Sequence, residues 1–226
     1  MHIEPGVVDG AKMVLGYATA AGAITYAAKL SFDTIKKSGI SALAIRSVLA
    51  TIAMFFYFQV LPHHPVGVSE VHLIMGSTLF LLFGAGPAAI GLATGLLLQG
   101  VFFAPTDLPQ YGVNVTTLLI PLFAMSVLAK KIIPAGTAYK DLGYLQALKL
   151  STTYQGGIVA WVAFWAFYGQ GFGAETLVSV GTFGLAYMSV IIIEPIADLG
   201  VLAIAKAWHG LKGSSLIEER VYTPAA

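Results

Sequence analysis

No cysteine occurs in the 226 residues, so neither a disulfide framework nor a thiolate metal site is available. Charge is scarce. Asp, Glu, Lys and Arg make up 10% of the chain, against about a quarter in an ordinary soluble domain. A Gly-x-x-x-x-Gly-Lys-Ser/Thr phosphate loop is missing, so the chain itself is not expected to hydrolyse ATP, and nothing in it suggests nucleic-acid binding or an enzyme. The basic start and apolar core of a cleavable signal are also absent, since Glu4, Pro5 and Asp9 stand in the first ten residues. Met1 is therefore expected to be the mature terminus.

What the chain has in abundance is apolar surface. Hydrophobic residues make up 57%, the mean hydropathy is +0.81, and several runs approach the ~20 residues that cross a bilayer. These features predict an all-α integral membrane protein. Its 25 glycines suit helices packed through small residues, with Gly16, Gly22, Gly84, Gly91 and Gly95 as candidates.

Taken in order, the apolar runs predict helices over 11–30 and 43–61, the second stopped by Pro62 before a polar loop that carries His63-His64-Pro65 and runs to Glu70. A single helix over 71–104 would be roughly 51 Å long at the helical rise, well beyond the hydrocarbon core. Gly84-Ala85-Gly86-Pro87 divides it, giving a short buried helix at 71–83 and another at 87–104. After the loop 105–112, further helices are expected over 113–129, 151–168 and 176–193. Pro195 is expected to bend or end the last, with 196–209 as an interfacial continuation. This divides the chain into a membrane domain, 1–209, and a polar, exposed cytoplasmic tail, 210–226.

Basic residues select the count. With about seven crossings and the N-terminus outside, eleven of the twelve Lys and Arg residues fall on the inner side, Lys12 being the exception. Met1, His2, Glu4, Asp9, His63, His64, Glu70, His72, Asp107 and Glu175 then lie outside. An acidic outer face attracts cations.

An unblocked Met1 followed by His2 offers three nitrogens: the amine, the His2 amide and the His2 imidazole. Such a set suits a divalent transition metal, tetragonal nitrogen geometry pointing to Ni(II) or Cu(II). The plain alternative is a solvated terminus. His72, on the same side, could complete a four-nitrogen site or could simply be satisfied by a carbonyl at a helix start. His63 and His64 read as an entry point, an additional ligand or a solvated turn, the last being favoured. Gln99 and Asn114 flank the outer loop and could orient ligands or bond between helices. Glu194 and Asp198 are intramembrane acids, which are functional suspects by default. Glu194 lies roughly 28 Å along its helix, so a structural pair or a partner contact is expected, away from an outer metal site.

Met1-His2-Ile3, with Pro65-Val66-Gly67 and Ser69-Glu70-Val71-His72-Leu73, resembles the CbiM/NikM family, substrate-binding components of energy-coupling factor transporters for cobalt and nickel. Leu98-Gln99 with Phe102-Phe103, and Gly112-Val113-Asn114, resemble further elements of that family. The motifs span about the first 120 residues, and the remainder is similar in hydropathy. The resemblance implies metal ligation by Met1, His2 and His72; Glu70, like His63, His64, Gln99 and Asn114, is a candidate to orient the ligands or admit the ion. It also implies partners: a membrane coupling protein, a pair of cytoplasmic ATPases and often a small accessory membrane subunit. The chain departs from the family at Glu4-Pro5-Gly6, where Met-His-Ile-x-Glu-Gly is usual, in the Pro105–Tyr111 loop, and in the extra His63-His64.

The expected function is thus capture of Co²⁺ or Ni²⁺, with zinc still a candidate, from the outer side of a bacterial or archaeal inner membrane. Import would be driven by ATPase partners. The alternatives are a haem-binding electron-transfer subunit, which needs histidines facing each other inside helices, and a structural membrane subunit with no ligand.

Overall fold

The computed structural model describes residues 3–224. Helices α1 (Met13–Ser38) and α2 (Ile40–Gln59) are followed by a two-stranded antiparallel hairpin, β1 (His64–Val66) and β2 (Ser69–Val71). Then come α3 (Gly76–Phe83), α4 (Ala85–Phe102), α5 (Tyr111–Ile132), α6 (Tyr144–Gln170), α7 (Ala174–Met188) and α8 (Val190–Ala207). Ser189 keeps right-handed helical angles (φ −62°, ψ −27°), so α7 and α8 form one run of 34 residues. Counted this way, the described residues form seven helical runs. Among the described residues, four helices are long and apolar enough to cross a membrane: Ile40–Gln59, Ala85–Phe102, Pro105–Ile132 and Ala174–Ala207. This is an all-α membrane fold.

Small residues set the helix spacing, as their number suggests. A Cβ at Gly91 would stand 2.4 Å from the Ala50 Cβ, and one at Gly95 would stand 2.6 Å from Met54 Cγ, so α4 lies directly on α2. Gly16 meets Val113 in the same way, joining α1 to α5. Gly22 differs from expectation, because a Cβ there would meet no other element within 4 Å among the described residues. Gly84 does divide the 71–104 run: its φ of +86° lets the chain turn from α3 into α4.

Three departures from the sequence reading bear on function. The loop 62–70 closes into the hairpin, and the short helix begins at Gly76 rather than 71, leaving His72–Met75 outside regular structure. A β-branched, apolar stretch fits strand or helix equally by periodicity, and pairing across the Gly67 turn (φ +62°) decides it. Pro195 does not end its helix. It sits buried inside α8, and the break falls earlier, at Ser189. The segment 196–209 is thus no separate continuation: α8 runs unbroken to Ala207.

The tail is not exposed along its length. Ile217, Val221 and Tyr222 are buried, and the Glu218 amide donates to the Leu82 carbonyl (2.6 Å). Its carboxylate pairs with Arg46 and Lys37, each at 2.8 Å. Apolar residues spaced through a polar sequence give the tail a face to bury.

Candidate functional site

The site is built on the hairpin. Ile3, 1% exposed, forms an antiparallel bridge with Ser69, and the Glu4 amide donates to the Val68 carbonyl (3.2 Å). The N-terminal segment therefore lies along β2 on the side away from β1. Asn114, near the start of α5, accepts the Ile3 amide at 2.9 Å. Gln110, with its amide turned so that both ends are satisfied, donates to the Ile3 carbonyl (3.1 Å) and accepts from the Gly6 amide (3.2 Å). Further along, Val7 and Val8 are buried, and a Cβ at Gly169 of α6 would stand 1.8 Å from the Val7 carbonyl oxygen. This first stretch is fixed on both sides.

His72 lies one residue beyond β2 and is 1% exposed. Its ring is sandwiched: Phe58 of α2 stacks on one side (centroids 4.5 Å apart, 13° between planes) and His63 stacks at 4.8 Å and 12°. The His72 Nε2–H donates to Glu70 Oε2 at 2.8 Å. A carboxylate on one imidazole nitrogen fixes tautomer and ring orientation and raises the basicity of the other nitrogen, the usual arrangement behind a metal-ligating histidine.

The surroundings are acidic. Burial first, then the neighbouring Glu70 and Asp107 carboxylates, hold the Glu4 carboxyl above its ordinary 4.5. Carboxylates that disfavour the ionisation of Glu4 make a region where a cation is welcome.

Met1 and His2 lie outside the described residues. Of the other sequence-predicted residues, the structure brings together His72, Glu70 and His63, and places Asn114 on the Ile3 amide. His63 is half-buried against His72 and donates from Nδ1 to the Leu61 carbonyl (3.3 Å), so it is not the solvated turn expected of it. His64 is exposed on β1. Gln99 is buried in the last turns of α4, and its side-chain oxygen finds no hydrogen-bond partner among the described residues. No three His, Asp or Glu side chains among the described residues converge into a metal cage. Glu194 and Asp198 are both fully buried, bonded to hydroxyls and amides rather than to this group. Phe58 and Gln110 escaped notice in the sequence. A stacking ring and an amide clamp leave no characteristic spacing, because their partners are remote in the chain.

A family model described as the cobalt uptake substrate-specific transmembrane region, CbiM, matches residues 2–209. The chain belongs to the CbiM family. It is accordingly a membrane component of metal uptake, a part of a transporter rather than an enzyme in itself. Two solved structures share the fold. One, described as a transition metal transporter, is 18% identical, with a TM-score of 0.68 over 92% of this chain and 93% of that one. The other, a truncated transition metal transporter, is 17% identical, with a TM-score of 0.67 over 92% of this chain and 99% of that one. None of the curated proteins compared matches this CbiM chain.

Proposed function

We propose that this chain is the substrate-binding component of an energy-coupling factor transporter and captures Co²⁺ or Ni²⁺ through the Met1 amine, the His2 amide and imidazole, and His72. One observation carries the reading: Ile3 is locked beside the His72 strand by the Ser69 bridge and by Asn114. The bridge is antiparallel, so the backbone enters Ile3 from the side on which β2 runs on to His72. Ser69 and His72 are three residues apart, about 10 Å at the strand rise. Two residues at ~3.8 Å each span most of that distance, and side chains cover the rest. Glu70 then orients the His72 ring, His63 covers it, and the acids Glu4, Glu70 and Asp107 draw in the cation.

The donor set is nitrogen-rich and lacks thiolate, which suits cobalt and nickel and admits zinc. Because basic residues concentrate away from the His72 end, that end faces outside and residues 210–226 face the cytoplasm. Having no phosphate loop, the chain relies on an ATPase pair, a membrane coupling protein and often a small accessory subunit. The setting is a bacterial or archaeal inner membrane. The haem alternative loses ground to the stacked rings: His63 and His72 touch face to face, which leaves no room for a porphyrin between them.

The test is elemental analysis of protein purified with an untouched N-terminus. His72→Ala is expected to empty the site without unfolding the bundle. One extra residue ahead of Met1 is expected to do the same by displacing the amine. Normal cobalt or nickel content in the extended protein would overturn the mechanism.

A further inference from the structure

Between His72 and α3 stands Met75, buried, with φ +57° and ψ +40°. It is the one non-glycine residue at positive φ among the described residues. A left-handed methionine is strained and persists only where its surroundings over-determine it. Upstream, the hairpin fixes the chain as far as Val71. Downstream, the restraint comes from α8.

The first turn of α3 is held by two acids of α8. The Ser77 amide donates to Glu194 Oε1 (3.3 Å), the Ser77 hydroxyl to Asp198 Oδ2 (2.7 Å), and the Thr78 hydroxyl to Asp198 Oδ1. Glu194 is itself braced from α6 by the Ser151 hydroxyl (2.7 Å) and the Gln155 amide. Carboxylates at a helix start meet unpaired amides and the positive end of the helix dipole, so the pair acts as an N-cap supplied by another helix. The first turn is also hemmed in by Tyr154, whose ring a Cβ at Gly76 would strike at 2.2 Å.

Neither acid pairs with a Lys or Arg among the described residues. Two carboxylates within a membrane run are costly, but an amide in place of Asp198 would offer one acceptor oxygen where the two hydroxyls need two. The same helix also lies along the upstream segment: Val190 and Ile193 line a cavity of about 250 Å³ together with His72 and Leu73.

We infer that Glu194 and Asp198 are positioning residues for His72: by clamping Ser77 and Thr78 they hold the strained Met75 turn that aims the His72 ring at the metal. This rests on the metal reading above. Loss of the clamp lets Met75 relax toward an ordinary backbone region, and the peptide rotation displaces the chain three residues upstream. The α7–α8 run then has a direct mechanical link to the metal ligand.

The test uses the full chain with its native N-terminus in nanodiscs, titrated with Ni²⁺. The readouts are Kd, the ligand-field absorption band of the bound ion and the thermal melt. Asp198→Asn and Thr78→Val are expected to weaken binding about tenfold, the lower end for loss of a ligand-orienting contact, and to shift the band as His72 meets the ion at a changed angle. Thr78→Ser keeps the hydroxyl and is expected to bind as the wild type does. A pair that merely holds the fold together lowers the melting temperature but leaves Kd and band of the folded fraction unchanged, and that result overturns the proposal. Should Asp198→Asn not fold, the Thr78→Val and Thr78→Ser comparison decides alone. His72→Ala separates the two ideas. Undiminished binding in it removes the metal reading and this role together. Lost binding in it, with wild-type Kd and band in Thr78→Val, overturns the positioning role only.

Discussion

Glu4 shows how a single side chain at this site answers to its neighbours. Its carboxyl is held above 4.5 by burial and by Glu70 and Asp107, so the folded chain favours the protonated form more than the unfolded chain does. The sign follows from linkage: the stability that neutral Glu4 contributes is complete below the unfolded value and is lost as pH rises through the raised folded value. A divalent cation reverses the balance, because it neutralises the repulsion and expels the proton. Metal affinity is therefore expected to climb with pH across that window, beyond the climb that imidazole deprotonation already supplies. In Glu4→Gln the low-pH part of the climb should flatten, while the melting temperature at neutral pH should rise slightly above wild type. Ni²⁺ titrations and melts at a series of pH values check both. Legibility was uneven among these residues. His72, Glu70 and Asn114 stand in short local motifs, whereas Phe58 and Gln110 work through contacts that no spacing reveals.

The hairpin shows where periodicity stops being informative. Helices that carry long apolar runs between glycine and proline breaks were legible to within a few residues at most ends, and Gly84 parted α3 from α4 as its Gly-Pro neighbourhood implied. The stretch from His63 to Met75 was not, because its valines satisfy either period and its shape depends on Ile3, more than sixty residues away in sequence. It depends on α7 as well. A Cβ at Gly67 would fall 2.2 Å from the Ser179 carbonyl oxygen, a backbone atom that cannot step aside, at a φ of +62°. Gly67→Ala is therefore expected to lift the hairpin off α7 and to cost about 1–3 kcal/mol, the range typical of a strained backbone substitution. The hairpin carries both Glu70 and the partner of Ile3, so metal binding should fall with it. A denaturation curve and a Ni²⁺ titration on the same preparation measure the two effects together, and an unchanged titration would show the site to be independent of the hairpin.

The bundle has two ends with different work. The N-terminal segment, hairpin, end of α4 and start of α5 meet at one end. The chain's last described residues close the other, drawing together elements far apart in sequence. Glu218 pairs with Arg46 and Lys37, Tyr222 donates to the carbonyls of Ala205 and Trp208 at the end of α8 (2.7 Å each), and Arg220 donates to the Ile133 and Pro134 carbonyls after α5. Arg46 lies twelve residues before Phe58 on α2, about 18 Å along the helix, so this clasp is remote from His72. Arg46 is 2% exposed, and removing its partner strands a buried charge, a loss of about 3–5 kcal/mol where pairs of this kind have been broken. Glu218→Ala is thus expected to lower stability sharply, while Glu219→Ala, whose side chain is largely exposed and 3.8 Å from Lys37, changes it little. Because the clasp and the proposed metal site occupy opposite ends, the folded fraction of Glu218→Ala should bind Ni²⁺ with wild-type affinity. A melt that drops while Kd holds would establish that the two ends are energetically separate. A Kd that moves with the melt would show instead that closure of the far end is transmitted along α2 to the ring stack on Phe58.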